Sequence, residues 1–281
     1  MNTFKCHFCK ICNGKGCIND LPGMGGVSNN QNFIKNYEGW NTIPFGNKGQ
    51  SGIIRLAPMT GAIQNVGYPD EKQFYFDMIN ECVKASIPVT IGDGAPDEKL
   101  LYGIEAVKNH NGLKAGVFIK PYPQEKIFQR IEWCKEIASS VGVDIDSYNI
   151  ATMRNQAHLE KKSAQQLTEL KKYVNSLGIP FVIKGIFTEE DLNLVKEVQP
   201  DVAYVSNHGG RIETRLGSTA DFLTENSELL KNYSSQLWVD GGIRNKEQAQ
   251  KAFSYGADSV LLGRPFIQAL CKNESFEKYK I

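Results

Sequence analysis

From residue 53 onward, short apolar runs alternate with longer amphipathic stretches. The runs are Ile53–Ala57, Pro88–Ile91, Ala115–Ile119, Val141–Asp146, Pro180–Lys184, Val202–Ser206, Gln236–Asp240 and Asp258–Leu262. They are continuous rather than alternating, which suits strands buried on both faces of a parallel sheet. Each gap is long enough for a crossover helix, as parallel strands require. Thr188 is placed to cap a helix over Glu189–Val198, where Leu192, Val195 and Val198 share a face. Asn245 and Gln248 form a similar start, and Gly256 is placed to end that helix. Glu71–Ala85 and Glu125–Ser140 have the same apolar spacing. Eight strand–helix units in one domain predict an α/β fold, a (β/α)8 TIM barrel. A doubly wound open sheet is the alternative that periodicity leaves standing.

Residues 1–50 lack this rhythm. They are rich in Gly, Asn and Cys, with a turn cluster at Pro22-Gly23-Met24-Gly25-Gly26. They read as a loop-like N-terminal extension, 1–50, ahead of a barrel domain over 51–281.

Composition narrows the function. Hydrophobic residues make up 41% and charged residues 22% of the 281, which excludes disorder and collagen. Lys plus Arg is 32 and Asp plus Glu is 31, a net charge of +1. That balance gives no global field for nucleic acid or an anionic membrane, although a local pocket for one phosphate or carboxylate is compatible with it. No apolar stretch approaches the roughly 18 residues of a membrane span. The first residues, Met1 to Cys6, contain no apolar signal segment. The expectation is a cytoplasmic protein with no nucleic-acid or membrane partner.

The polar residues that close these runs are more informative. In a parallel barrel, functional groups sit at the C-terminal strand ends. The fourth run ends in Asp144-Ile145-Asp146 and the fifth in Lys184-Gly185. The sixth ends in Ser206-Asn207-His208-Gly209-Gly210-Arg211, the seventh in Asp240-Gly241-Gly242-Ile243-Arg244 and the eighth in Gly263-Arg264-Pro265. Five consecutive polar ends predict a ring of polar groups at one rim. In the last two loops, Gly241, Gly242 and Gly263 let backbone N–H groups approach an anion, each loop leads into a helix N-terminus, and Arg244 and Arg264 add guanidinium donors. The plain alternative is that these glycines only form tight turns. His208 is suited to act as a general base near neutral pH, and Arg211 can clamp a carboxylate. Lys184 in the barrel mouth needs a negative partner: a Schiff-base carbonyl, a phosphate, a reduced flavin, or an ion pair with Asp146 or Asp240.

The segments Ile183-Lys184-Gly185, Val205 to Arg211, Val239 to Arg244 and Gly256 to Phe266 resemble the FMN-dependent α-hydroxy-acid oxidases and dehydrogenases, the family of glycolate oxidase and lactate oxidase. The likeness is dense from about 180 to 270 and looser over 53–150. Ala57-Pro58-Met59 is similar to the family's flavin-contacting loop after the first strand. The resemblance implies a barrel with FMN in its mouth, oxidising an L-2-hydroxy acid to a 2-oxo acid by transfer of a hydride or its equivalent to flavin N5. It implies Lys184 at the flavin N1/C2 carbonyl edge, His208 as base, Arg211 on the substrate carboxylate and Asp146 beside His208. Ser206, Asp240, Gly241, Gly242, Arg244, Gly263 and Arg264 would contact the cofactor. It also implies a homo-oligomer. The electron acceptor is open.

The sequence departs from the family in the substrate shell. If Lys120 matches the lysine closing the family's third strand, the family's tyrosine falls at Val117 and its glutamine at Ala115. No N-terminal tyrosine has a clear counterpart. The arginine expected after the fourth strand is absent, with Arg154 nearby.

Four of the seven cysteines, Cys6, Cys9, Cys12 and Cys17, crowd the N-terminus. Their spacing resembles an iron–sulfur ligand run, and zinc is a second occupant. A [4Fe-4S] centre there would relay electrons. Cys82, Cys134 and Cys271 read as core residues, as do Trp133 and Trp238. Two other functions remain open: a type 2 isopentenyl diphosphate isomerase-like FMN enzyme, which needs no His208–Arg211 pair, and a non-catalytic flavin or metal electron-transfer protein.

Overall fold

A computed structural model describes residues 31–66, 68–150, 157–212 and 214–281. The cysteines Cys6, Cys9, Cys12 and Cys17, and Arg154, lie outside the described residues.

The chain runs α1 (Gln31–Thr42), β1 (Ile53–Leu56), α2 (Ala62–Val66), α3 (Glu71–Lys84), β2 (Val89–Gly92), α4 (Glu98–Lys108), β3 (Ala115–Ile119) and α5 (Gln124–Cys134). It continues with β4 (Ala138–Asp144), α6 (Ala164–Ser176), β5 (Phe181–Ile186), α7 (Glu189–Val198), β6 (Val202–Val205), α8 (Thr219–Tyr233), β7 (Gln236–Val239), α9 (Lys246–Ser254), β8 (Ser259–Leu262) and α10 (Arg264–Lys272). The eight strands form one parallel sheet in the order β1-β8-β7-β6-β5-β4-β3-β2. Leu56 N–H donates to Pro88 O at 3.0 Å and brings β1 against the start of β2. The sheet thus curls into a (β/α)8 barrel.

Side chains fill the barrel. Phe118, Tyr204 and Trp238 meet inside it, with ring centroids 5.4 Å apart for Phe118–Tyr204 and 6.0 Å for Tyr204–Trp238. Ala57, Val182, Val202 and Leu261 complete this inner cluster. The larger core lies between the strands and the helix ring. Cys82 and Cys134 are buried in it, Cys271 and Trp133 are half-buried, and Trp238 is inside the barrel.

Local chemistry accounts for the helix ends. Thr188 and Asp191 form a reciprocal capping box at the start of α7. Asn245 accepts from Gln248 N–H at the start of α9. Two segments differ from the sequence expectation. The stretch 125–140 divides into α5 and the first residues of β4, because the chain turns after Cys134 and pairs Ala138 with Ala115 of β3. Within the expected loop-like extension, residues 31–42 form α1, whose Trp40 is fully buried.

Candidate active site

The C-terminal ends of β4, β5 and β6 converge. At the end of β5 the register with β6 shifts between Lys184 and Ile186. Gly185 occupies this bulge with φ +101°, and a Cβ there would lie 2.3 Å from Asp146 Oδ1. The absent side chain lets Asp146 lie against β5. After β6, Ser206 Oγ accepts from the His208 backbone N–H at 3.2 Å, and Asn207 Oδ1 accepts from Gly210 N–H at 2.9 Å. His208 is held in the left-handed region at φ +51°, followed by Gly209 and Gly210 at φ +65° and +98°.

This turn aims the imidazole at the two aspartates of β4's end. Nδ1 lies 2.8 Å from Asp146 Oδ2, and Nε2 lies 3.2 Å from Asp144 Oδ2. Two lysines complete the cluster. Lys120 Nζ is 2.7 Å from Asp144 Oδ2 and 3.4 Å from His208 Nε2. Lys184 Nζ is 3.0 Å from Asp144 Oδ1 and 3.3 Å from the same Nε2. An ionised carboxylate only accepts, so Asp146 fixes a proton on Nδ1. In the neutral ring the lone pair is then on Nε2, where the Lys120 and Lys184 ammonium groups can donate to it and Asp144 is a neighbouring charge rather than its hydrogen-bond partner.

Burial pushes the Asp144 carboxyl up, but Lys120, Lys184 and His208 outweigh this and hold it well below the usual carboxylate range. Burial pushes Lys184 down, and Asp144, Asp240 and Asp146 more than reverse it, so the amine is raised and cationic. The carboxylate that contacts Lys184 is therefore Asp144, whereas Asp240 and Asp146 act on it from farther away.

One cavity opens onto this cluster. Its wall takes Lys120, Lys184, His208 and Arg211, the segment Asp240 to Arg244 with Gly263 and Arg264, and Ala57, Pro58 and Met59. Arg211 Nη1 reaches His208 O at 3.4 Å, and its guanidinium lies 5.9 Å from the Phe33 ring. Ser206 is not on the wall; it is buried and supports the His208 backbone. Asp146 lies behind the imidazole. The structure therefore brings together the residues expected at the ends of strands four to eight.

Sequence reasoning missed other parts of the site. Asp144 stands beside Asp146 in the same polar strand end, with no local signal of its contacts. Lys120 reads in the sequence only as a strand terminator. Phe33 and Asn36 of α1 line the cavity from a segment with no apolar period to reveal it, and Ile150 lines it from the loop after β4.

The cavity residues fit FMN. Asp240 is buried on the wall; its Oδ2 accepts from Tyr204 OH at 2.8 Å, while Oδ1 is buried with no hydrogen-bond partner and suits a ribityl hydroxyl donor. Arg264 is buried at the first turn of α10, where helix N–H groups favour a phosphate. Gly241 and Gly242, at φ +90° and +91°, turn the neighbouring loop beside it. Among the described residues, no group of three or more His, Cys, Asp or Glu is placed to hold a metal ion, and no helix is long and apolar enough to cross a membrane.

A nearly closed parallel barrel with glycine- and arginine-bearing loops at its rim and a cationic, imidazole-bearing mouth defines a cofactor-binding α/β barrel. The chain belongs to the FMN-dependent dehydrogenase family, whose model matches residues 105–275, more than half of the sequence. Human 2-hydroxyacid oxidase 2 is 37% identical over 107 residues, 38% of this chain and 30% of that protein. The peroxisomal (S)-2-hydroxyacid oxidase GLO3 of Arabidopsis thaliana is 31% identical over 148 residues, 53% of this chain and 38% of that one. The matched region thus spans only about a third of the length of these relatives. A crystal structure of mandelate oxidase with benzoyl-formic acid superposes with a TM-score of 0.66 at 18% identity, covering 92% of this chain and 83% of that one, and establishes the shared fold.

Proposed function

We propose that the protein oxidises an L-2-hydroxy acid to a 2-oxo acid with FMN as cofactor. The observation that carries this reading is that His208 Nε2 and Lys184, 3.3 Å apart, line one cavity together with Arg211 and the Asp240–Arg244 and Gly263–Arg264 loops. Bound FMN supplies the two-electron acceptor. Lys184, Asp240, Gly241, Gly242, Arg244, Gly263 and Arg264 hold it, with the Ala57–Met59 loop against it.

Arg211 holds the substrate carboxylate by a two-pronged contact and so orients the α-carbon. His208 Nε2 takes the hydroxyl proton. The ring is then an imidazolium, and Asp146 on Nδ1 and Asp144 on Nε2 stabilise its charge. Val117, fully buried in β3, offers no hydroxyl to the substrate.

Anaerobic mixing of the FMN-loaded protein with a panel of L- and D-2-hydroxy acids tests the proposal. Bleaching of the flavin absorbance by an L-2-hydroxy acid is the expected result. Flavin that none of them bleaches overturns it, and turnover of isopentenyl diphosphate by such a protein would establish the isomerase reading instead.

The proposal extends to Cys6, Cys9, Cys12 and Cys17, which it assigns to an iron–sulfur cluster or zinc on their spacing alone. Iron, sulfide and zinc analysis of anaerobically prepared protein decides, and the absence of all three removes the assignment. A cytoplasmic homo-oligomer completes it, tested by fractionation and sedimentation.

A further inference from the structure

The loop that carries His208 and Arg211 does not hold its shape alone. It rests on α1. Asn36, one per cent exposed, forms a reciprocal amide pair with Asn207: its Nδ2 donates to Asn207 Oδ1 at 2.7 Å, and Asn207 Nδ2 donates back to its Oδ1 at 3.1 Å. The same Asn36 Oδ1 accepts from Thr219 N–H at 2.9 Å. Asn207 Oδ1, which receives the Asn36 proton, is also the acceptor that caps Gly210 N–H. One turn earlier, Asn32 Nδ2 donates to Ile212 O at 2.6 Å. One turn later, Trp40 Nε1 donates to Gly241 O at 2.7 Å. The face that α1 turns to the barrel is therefore a row of hydrogen-bonding groups, and it meets both the His208 loop and the glycine loop after β7.

We propose that Asn36 is a positioning residue for the proposed reaction: through Asn207 it sets the turn that aims His208 and Arg211 into the cavity. The inference rests on the oxidoreductase reading for its rate effect, but not for its structural effect. His208 sits at φ +51°, a conformation a residue with a side chain adopts only when its surroundings impose it. Backbone bonds from Gly210 and Ile212 N–H to Asn207 O, at 3.0 and 3.2 Å, form the turn, and two side chains add to them: the Ser206 hydroxyl on the His208 N–H and the Asn207 amide on Gly210. Asn36 orients the second. Without the Asn36 donor, Asn207 is free to turn its amide, and Gly210 N–H keeps only its backbone bond to Asn207 O at 3.0 Å, so the turn is held less tightly.

The test uses the full chain loaded with FMN and two variants, Asn36→Ala and Asn36→Asp. Two signals are followed: the rate of anaerobic flavin bleaching by the best 2-hydroxy acid, and the carbon-13 resonance of His208 in histidine-labelled protein, identified by its loss in His208→Ala. Both variants are expected to keep FMN, to shift the His208 resonance while leaving those of His110 and His158 in place, and to bleach about 10–100-fold more slowly, the scale of a misplacement near 1 Å. Asn36→Asp carries a sharper signature. When ionised, the new carboxyl faces Asn207 Oδ1 without a proton to donate. When protonated, it donates as the native amide does. The rate deficit relative to the native protein therefore shrinks as pH falls through the titration of that carboxyl, the opposite trend to protonation of a histidine base.

If the two variants lose thermal stability but keep the His208 resonance and a native rate profile, Asn36 is only a packing residue and the proposal falls. Should Asn36→Ala not fold, the pH trend of Asn36→Asp decides. If no hydroxy acid bleaches even the native protein, the oxidoreductase reading fails, and the His208 resonance still judges Asn36.

Discussion

Oδ2 of Asp146 lies 2.8 Å from Nδ1 of His208, across the gap between β4 and β6. The contact is possible because β5, the strand between them, carries a glycine at its bulge. An imidazole, the carboxylate on its Nδ1 and the space for that carboxylate thus come from three consecutive strand ends.

Replacing His208 with Ala is expected to slow flavin reduction by a 2-hydroxy acid about 10²–10⁴-fold, the range for loss of a general base. Asp146→Asn keeps the shape and removes the charge that stabilises the imidazolium, so it should also cut the reduction rate. Stopped-flow bleaching under anaerobic conditions measures both, and a native rate in His208→Ala removes His208 from the mechanism.

Gly185→Ala puts a methyl group 2.3 Å from Asp146 Oδ1 at a backbone φ of +101°. The left-handed conformation and the overlap together should cost about 2–4 kcal/mol. Urea unfolding gives the stability loss. The bleaching rate should fall with it, because the carboxylate is the atom pushed aside.

Arg264 should contact the phosphate rather than the ring. Loss of one charge-assisted hydrogen-bonding group of about 1.5–3 kcal/mol corresponds to about 10–100-fold in affinity. Flavin fluorescence titration of Arg264→Ala should show that loss for FMN and almost none for riboflavin, which lacks the phosphate. Equal losses for the two ligands would place the phosphate elsewhere.

Burial pushes the Asp93 carboxyl up to about 6, although Arg130 and two backbone N–H groups pull against it. Its folded value is thus above its ordinary one near 3.8. The folded state holds this proton more tightly than the unfolded chain, so the contribution of Asp93 to stability declines as pH rises from about 4 to about 6 and is level above that. Asp93→Asn removes the titration. The stability of the variant relative to the native protein should therefore rise across that window, by an amount on the order of 2–3 kcal/mol, on top of a constant offset from the lost Arg130 pairing. Denaturant curves at several pH values provide the check.

The strands were legible because each is a continuous apolar run ending in a polar group, a pattern set by burial on both faces. All eight runs overlap observed strands, and Thr188 and Asn245 cap the helices assigned to them. The error at 125–140 has a clear cause: Ile137 and Ala138 continue the apolar spacing of α5, and only pairing with β3 shows that the chain has changed direction. α1 was hidden for a different reason. Its buried face contains Asn32 and Asn36, and a hydrophobic pattern cannot register an amide that is buried because it is hydrogen-bonded. The site divided along the same line. Residues attached to strand ends could be read in order, whereas the Asp144–Lys120 contact joins positions 24 residues apart through the barrel and has no local signature.

The edge-to-face rings of Phe118, Tyr204 and Trp238 have a kinetic consequence. They cork the barrel beneath the cavity, with the Arg55 guanidinium 4.7 Å from the Trp238 ring. Among the described residues, these rings leave no passage down the barrel axis from the cavity. Under the proposed reaction, 2-hydroxy acid and 2-oxo acid would therefore share the mouth that the strand ends surround, and one would have to vacate it before the next could cross.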